Sequence, residues 1–168
     1  LVNLGIIQRV LQNLLRENLS ILNLPLILEC IGDFAAVSKN PDDLSELTRR
    51  RLGMYFVPEL EYQPGLIKAM TLDPRLEQQL AQGVRQSPTE LALVVEPKLA
   101  RHVMDTLSRI AQQMLAAGQQ PVILCAPHLR LAFRRFFEST FADLAVLSYA
   151  EIPARVQVQN AAVIPCPD

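Results

Sequence analysis

An α+β chain is what this sequence predicts: an N-terminal helical module of three main helices, then a small α/β subdomain built on a parallel β-α-β unit. Three observations carry that reading. Apolar residues recur at three- and four-residue steps through the first third of the chain. A stretch rich in Pro, Gly and Glu, 58–65, interrupts the periodic segments as linkers do. Beyond it, short apolar runs alternate with amphipathic ones, the rhythm of strands and crossover helices. The expected boundaries are a helical subdomain 1–57, a linker 58–65 and an α/β subdomain 66–168.

The first helix places Leu4, Ile7, Leu11, Leu14 and Leu15 inward, with Asn3 as its cap and Asn18 as its stop. The second, over 23–36, buries Leu24, Ile27, Leu28, Ile31 and Phe34, and tolerates Pro25 because it falls in the first turn. Asn40-Pro41-Asp42-Asp43 combines a capping residue, a first-turn Pro and acids that suit the helix dipole. The third helix turns Leu44, Leu47 and Leu52 inward and shows Arg49, Arg50 and Arg51. In the second part, Leu66–Leu72 reads as a strand, and Asp73-Pro74 opens a helix to about Gln86. A short apolar segment follows at 91–95. A longer helix then runs from Pro97 to the stop at Gly118, with Leu99, Val103, Leu107, Ile110, Met114 and Leu115 inward. The run 121–125, a helix from Pro127, and 144–148 together form a strand–helix–strand unit long enough for a right-handed parallel crossover. Residues 156–164 partly alternate and form the last strand.

Composition removes several functions. The 168 residues are 50% hydrophobic and 20% charged, with 16 Lys and Arg against 17 Asp and Glu. A net charge of −1 gives no electrostatic footprint for nucleic acid, and the 5% of aromatic residues supply few stacking platforms. A winged-helix-like binder built on the three N-terminal helices is further disfavoured because residues 1–65 are net negative. Cys30, Cys125 and Cys166 lie far apart without a CxxC, so neither a disulfide framework nor a zinc ribbon is written here. No apolar run approaches the ~20 residues of a membrane span. The chain begins at Leu1 rather than Met, so it is expected to be a piece of a longer protein.

Chemistry has few footholds. The six glycines are isolated, which excludes GxGxxG and P-loop motifs. His102 and His128 lack metal-ligand partners at the right spacing. Cys125 ends a predicted parallel strand just before a helix N-terminus, where α/β folds bind ligands and a thiol's pKa can fall. A small redox or hydrolytic domain using Cys125 is therefore one reading; a small apolar residue at the core's edge is the other. Arg49–Arg51 and Arg130, Arg134 and Arg135 form basic clusters, read either as solvated faces or as contact surfaces.

Gln8 to Glu17 (QRVLQNLLRE), Ser20-Ile21, Leu24, Ile27-Leu28-Glu29 and Asn40-Pro41-Asp42 through Arg49 form an ordered pattern. It continues through Leu72-Asp73-Pro74, Pro121-Val122, Leu124-Cys125, Pro127, Arg130 and Val146-Leu147-Ser148-Tyr149 to Glu151-Ile152. This pattern resembles the cytoplasmic C-terminal domain of the type III secretion export-gate family, the flagellar FlhA proteins and their virulence counterparts InvA and LcrD, in its last two subdomains. Asn18 stands where the family has Gly, and Leu22-Asn23 where it has Arg-Asp.

The resemblance implies a non-enzymatic docking platform without cofactors, on the cytoplasmic side of the bacterial inner membrane and flagellar rather than virulence in type. Implied partners are export chaperones with their substrates, the ATPase stalk and other export components. It also implies a homo-oligomeric ring in the full-length protein, whose membrane domain would lie upstream. Partner or ring contacts are then expected at Arg16, Glu17, Glu29, Asp42, Glu46, Arg49, Arg130, Arg134 and Glu138.

Overall fold

A computed structural model describes residues 2–168 of the chain. Two compact units emerge, Leu1–Val57 and Pro58–Asp168, and each is described by itself. No helix among the described residues is long and apolar enough to cross a membrane.

The first unit holds α1 (Leu4–Arg16), α2 (Leu24–Phe34) and α3 (Pro41–Phe56). Asn3 starts α1 by accepting the Ile6 N–H at 2.9 Å. Asn18 ends it in the left-handed region at φ 63°, a conformation Asn tolerates better than most residues with a Cβ. Asn40 caps α3 by accepting the Asp42 N–H at 2.8 Å. Asn23 precedes α2 without a side-chain cap. The core gathers Val10, Leu14, Ile27, Ile31, Leu44 and Leu52. Leu4, Leu15, Leu24 and Leu28, expected inside, are exposed. The buried arcs of α1 and α2 instead centre on Val10 with Leu14 and on Ile27 with Cys30 and Ile31, because an apolar stripe wider than one contact face must leave its flank outside.

The second unit is a four-stranded parallel sheet in the order β5-β4-β1-β6, with helices and a small hairpin. Its elements are β1 (Leu66–Leu72), α4 (Pro74–Ala81), β2 (Val84–Gln86), β3 (Leu91–Leu93), α5 (Pro97–Ala116), β4 (Val122–Cys125), α6 (Pro127–Phe137), β5 (Ala145–Ser148) and β6 (Gln157–Ile164). The expected parallel β4–α6–β5 unit is present, with Val122 beside Ala145 and Cys125 beside Ser148.

All four residues of β4 are buried, as in a strand covered on both faces. Met70, Leu72, Ile123, Cys125 and Val146 join Leu76, Leu107, Leu129 and Phe133 in one core cluster. The strand pleat sends the alternate residues Leu124 and Leu147 to the other face.

Two features differ from expectation: Leu115 of α5, expected inward, is 61% exposed because Met114 already fills the buried arc at that turn, and one boundary moves. The helix opened by Pro74 stops at Ala81, and β2 then pairs antiparallel with β3. Gly83 makes the turn possible. A Cβ there would stand 2.1 Å from the Val94 carbonyl oxygen, which lies close because Val94 N–H donates to Gly83 O at 2.8 Å. The stretch 58–65 is tied down as well: Glu61 accepts the Gly65 N–H at 3.1 Å and pairs with Arg155 at 2.9 Å. Those two contacts, the Gly65 N–H foremost, hold the Glu61 carboxyl below its usual pKa.

Candidate functional site

Three of the charged residues singled out in the helical unit, Glu17, Asp42 and Arg49, are drawn into a seam between α1 and α3. Helical spacing explains the meeting: Asn13 and Glu17 share one face of α1, and Asp42, Ser45 and Arg49 share one face of α3. Asn13 Nδ2 donates to Asp42 Oδ1 at 3.1 Å and to Ser45 Oγ at 2.9 Å. Arg49 faces Glu17 at 3.6 Å, their side chains 4% and 9% exposed. Arg49 also lies 5.0 Å from the centre of the Phe56 ring.

Asp42 and Arg49 are thus interior groups of their own unit, and Glu17 and Glu46 are half-buried. Arg16 and Glu29 remain exposed. The Thr48 hydroxyl is buried in the same unit without a hydrogen-bond partner. Arg51 differs from Arg49: it is on the surface, paired to Asp33 at 2.6 Å and stacked over Phe34.

The α6 arginines overturn both readings offered from the sequence. Arg130 is 0% exposed and Arg134 is 6% exposed, so neither is a solvated face or an outward contact. Arg130 Nη1 donates to Val146 O at 3.0 Å, and its Nε lies 3.9 Å from Glu151, itself buried. Arg134 Nη1 donates to Ala142 O and Leu144 O at 3.2 and 3.0 Å and faces Glu138 one turn on. Arg135 Nη1 reaches Leu91 O of β3 at 3.1 Å. The reason is packing. α6 is buried almost all round, and long guanidinium stems can cross apolar surface to reach carbonyls of β5, its preceding loop and the hairpin. Glu138 is half-buried.

Cys125 lies at the C-terminal edge of the sheet as expected, but it is 0% exposed and belongs to the core cluster. The backbone N–H that follows it, at Ala126, is taken by Glu77 Oε2 at 3.0 Å. A carboxylate from α4 therefore sits where an anionic substrate or oxyanion would meet the start of α6. Burial, with Glu77 and Cys125 nearby, pushes the Tyr149 phenol above its usual pKa. Ser148 and Glu151 close the edge through a reciprocal cap, the Ser148 N–H donating to Glu151 Oε1 at 2.9 Å. Cys30 is fully buried, and Cys166 is half-buried. His128 is exposed, and His102 Nε2 lies 2.7 Å from Pro165 O. No cluster of three metal-ligating side chains occurs among the described residues.

What the sequence did not single out is an apolar surface on the helical unit. Leu4 is 83% exposed and Leu22 92%, and Leu15, Leu24, Leu28 and Val37 are exposed too. Their excess over the core's needs was visible only as a hydrophobic stripe too wide for one contact face.

Comparison with known proteins agrees across both units. The FHIPEP family model matches residues 1–157. The flagellar biosynthesis protein FlhA of Bacillus subtilis is 32% identical over 163 residues, 97% of this chain and 24% of that protein. Protein MxiA of Shigella flexneri is 32% identical over 146 residues, 87% of this chain and 21% of its own length. The solved Chlamydia pneumoniae CdsV protein superposes with a TM-score of 0.87 at 27% identity, covering 98% of this chain and 47% of that one. CdsV has also been solved in complex with CdsO. The chain thus spans about a quarter of the curated relatives' length and about half of the solved chain. It belongs to the FHIPEP family, that of the type III secretion export gates.

Proposed function

We propose that this chain is part of the cytoplasmic domain of a flagellar-type protein-export gate and works there as a docking platform without chemistry of its own. The family match over residues 1–157 carries the proposal. The flagellar protein matches over 97% of the chain and MxiA over 87% at the same 32% identity, and that longer reach favours the flagellar over the virulence type.

Ring contacts are assigned to the helical unit. Its exposed Leu4, Leu15 and Leu22 supply apolar area beyond what a lone unit needs. Arg16 and Glu29 are exposed charges available to set register around it. Arg49, Asp42 and Glu17 act indirectly, by fixing how α1 sits on α3. Arg130, Arg134 and Glu138 likewise act by shaping the α/β unit. Partners are other export components, as in the CdsV complex with CdsO, together with chaperone–substrate complexes and the ATPase stalk. The alternative of a redox or hydrolytic domain is weakened by the burial of Cys125 and by Glu77 on the Ala126 N–H.

The test replaces the corresponding segment of Bacillus subtilis FlhA with this chain and measures export of flagellar filament protein. Export is expected to survive Cys125→Ser and to be lost with Leu22→Glu or Leu4→Glu, both largely exposed positions. Export indifferent to both leucine variants would defeat the contact assignment. Export abolished by Cys125→Ser in a folded chain would defeat the platform reading.

A further inference from the structure

β6 closes the sheet with a partner on one side: it pairs with β1, and no strand lies beyond it among the described residues. In a parallel ladder each residue sends its N–H and C=O to the same side, so alternate residues face the neighbour. Gln157 donates its N–H to Gly65 O at 2.8 Å, and Ile164 O accepts the Asp73 N–H at 2.9 Å. These two anchors orient Gln157, Gln159, Ala162 and Ile164 toward β1. A register shift opposite Ala69 and Met70 adds Ala161 as an extra residue. The amides of Val158, Asn160 and Val163 are left on the open edge. Sheet edges are ordinarily blunted by charge or by Pro, and residues 157–164 contain neither.

Beside this edge lies a recess of about 310 Å³, walled by Lys68, Ile110, Gln113, Met114, Gln159 and Ala162 among others. It meets a second recess of about 300 Å³ at Lys68 and Gln119. Lys68 is the one charged side chain lining the first. Its Nζ sits 3.8 Å from the centre of the Tyr62 ring, and no carboxylate among the described residues pairs with it. The acid of the second recess, Glu61, is already committed to Gly65 and Arg155.

We propose that the β6 edge docks an extended segment of a partner protein as an added strand, and that an acidic side chain of that segment reaches Lys68. A strand offers alternating donors and acceptors at the spacing this edge requires, whereas a helix has already spent its own. A small anion would satisfy Lys68 and leave the edge open. A second copy of this chain pairing β6 with β6 is a poorer fit, because residues 157–164 bring no acid to Lys68. The proposal stands apart from the ring contacts of the helical unit, so either can fail without the other.

The test uses the full chain, labelled for NMR, and two blocked octapeptides of alternating Thr and Val, one with a central Glu and one with Lys in its place. The Glu peptide is expected to shift and protect the amides of Val158, Asn160 and Val163, and the Lys peptide to bind more weakly. Lys68→Gln should weaken the Glu peptide by about two- to fivefold, the effect of a partly exposed ion pair. Val158→Pro deletes one outward N–H and should abolish binding while the Gln157 and Gln159 amides stay protected. If that variant does not fold, Lys68→Gln with the peptide pair decides. Silence at the three edge amides up to millimolar peptide, equal binding of the two peptides, or indifference to Lys68→Gln would each overturn the proposal. So would concentration-dependent protection of the edge without peptide, which would mark a second copy as the occupant.

Discussion

Glu151→Ala is the substitution that most directly probes how the α/β unit is held together. Glu151 is 2% exposed, accepts the Ser148 N–H at 2.9 Å and faces Arg130, whose guanidinium has no access to water. Removing the carboxylate leaves a buried cation facing an apolar methyl and strips one acceptor from the start of the β5–β6 crossover. Breaking a buried pair from one side costs about 3–5 kcal/mol. For a unit near 110 residues that corresponds to a fall in Tm of roughly 10–20 °C. Glu151→Gln keeps an oxygen for Ser148 and loses the charge, so its cost should lie between wild type and Ala. Arg130→Met combined with Glu151→Gln should cost less than the two single changes added, because no lone charge remains. The assay is urea unfolding followed through the amide signals of β4 and β5, so that only this unit is reported. A cost below about 1 kcal/mol for Glu151→Ala would refute the reasoning.

Three further outcomes are expected. At Asn18, with φ 63°, replacement by Gly should be neutral or slightly stabilising and replacement by Val should cost about 1–2 kcal/mol; thermal melts of the pair check the sign. Gly83→Ala should cost about 1–3 kcal/mol, since its Cβ would meet the Val94 carbonyl oxygen, with hydrogen exchange rising first in the β2–β3 hairpin. Burial, partly offset by Arg51, raises the Cys30 thiol above its ordinary value of 9.0. Below about that pH the thiol is protonated in both states and its contribution is whole; as pH climbs through the higher folded pKa it is lost. Helical-unit stability should therefore decline in alkaline solution, and Cys30→Ala should remove that part of the decline.

Most elements were legible because each carries its own local signal. Asn3, Asn40 and Asp73 all cap helices as their spacing implies, and the β4–α6–β5 crossover follows from two apolar runs flanking a Pro-led amphipathic segment. β2 was not legible, since Val84–Gln86 is too short to show a period. The stop of α4 depends on a backbone approach by Val94, which no local pattern encodes. The arginines of α6 were misread because charge triplets usually face water. The signal available was crowding: between Leu129 and Phe137 the apolar residues leave no continuous polar side for three guanidiniums to occupy. The destination of Glu17, Asp42 and Arg49 was not legible, because i and i+4 positions are equally consistent with a surface and with a polar seam.

The sheet of the second unit has the architecture that hosts many enzymes, and its C-terminal strand edge is where such folds ordinarily bind ligands. Here that edge is filled by the chain's own groups. Glu77 takes the first free N–H of the α6 start, Glu151 takes the Ser148 N–H, and Arg130 is spent on Val146 O and Glu151. Each is a charged group whose partners are internal, so the crevice is electrostatically complete before any ligand arrives. Elsewhere among the described residues lie an open strand edge at β6, a Lys68 that meets the Tyr62 ring but no carboxylate, and the exposed leucines of the helical unit. Strand edges and exposed apolar area are in general better suited to polypeptide than to small molecules. A self-satisfied ligand edge beside an open strand edge and exposed leucines agrees with the docking platform proposed above.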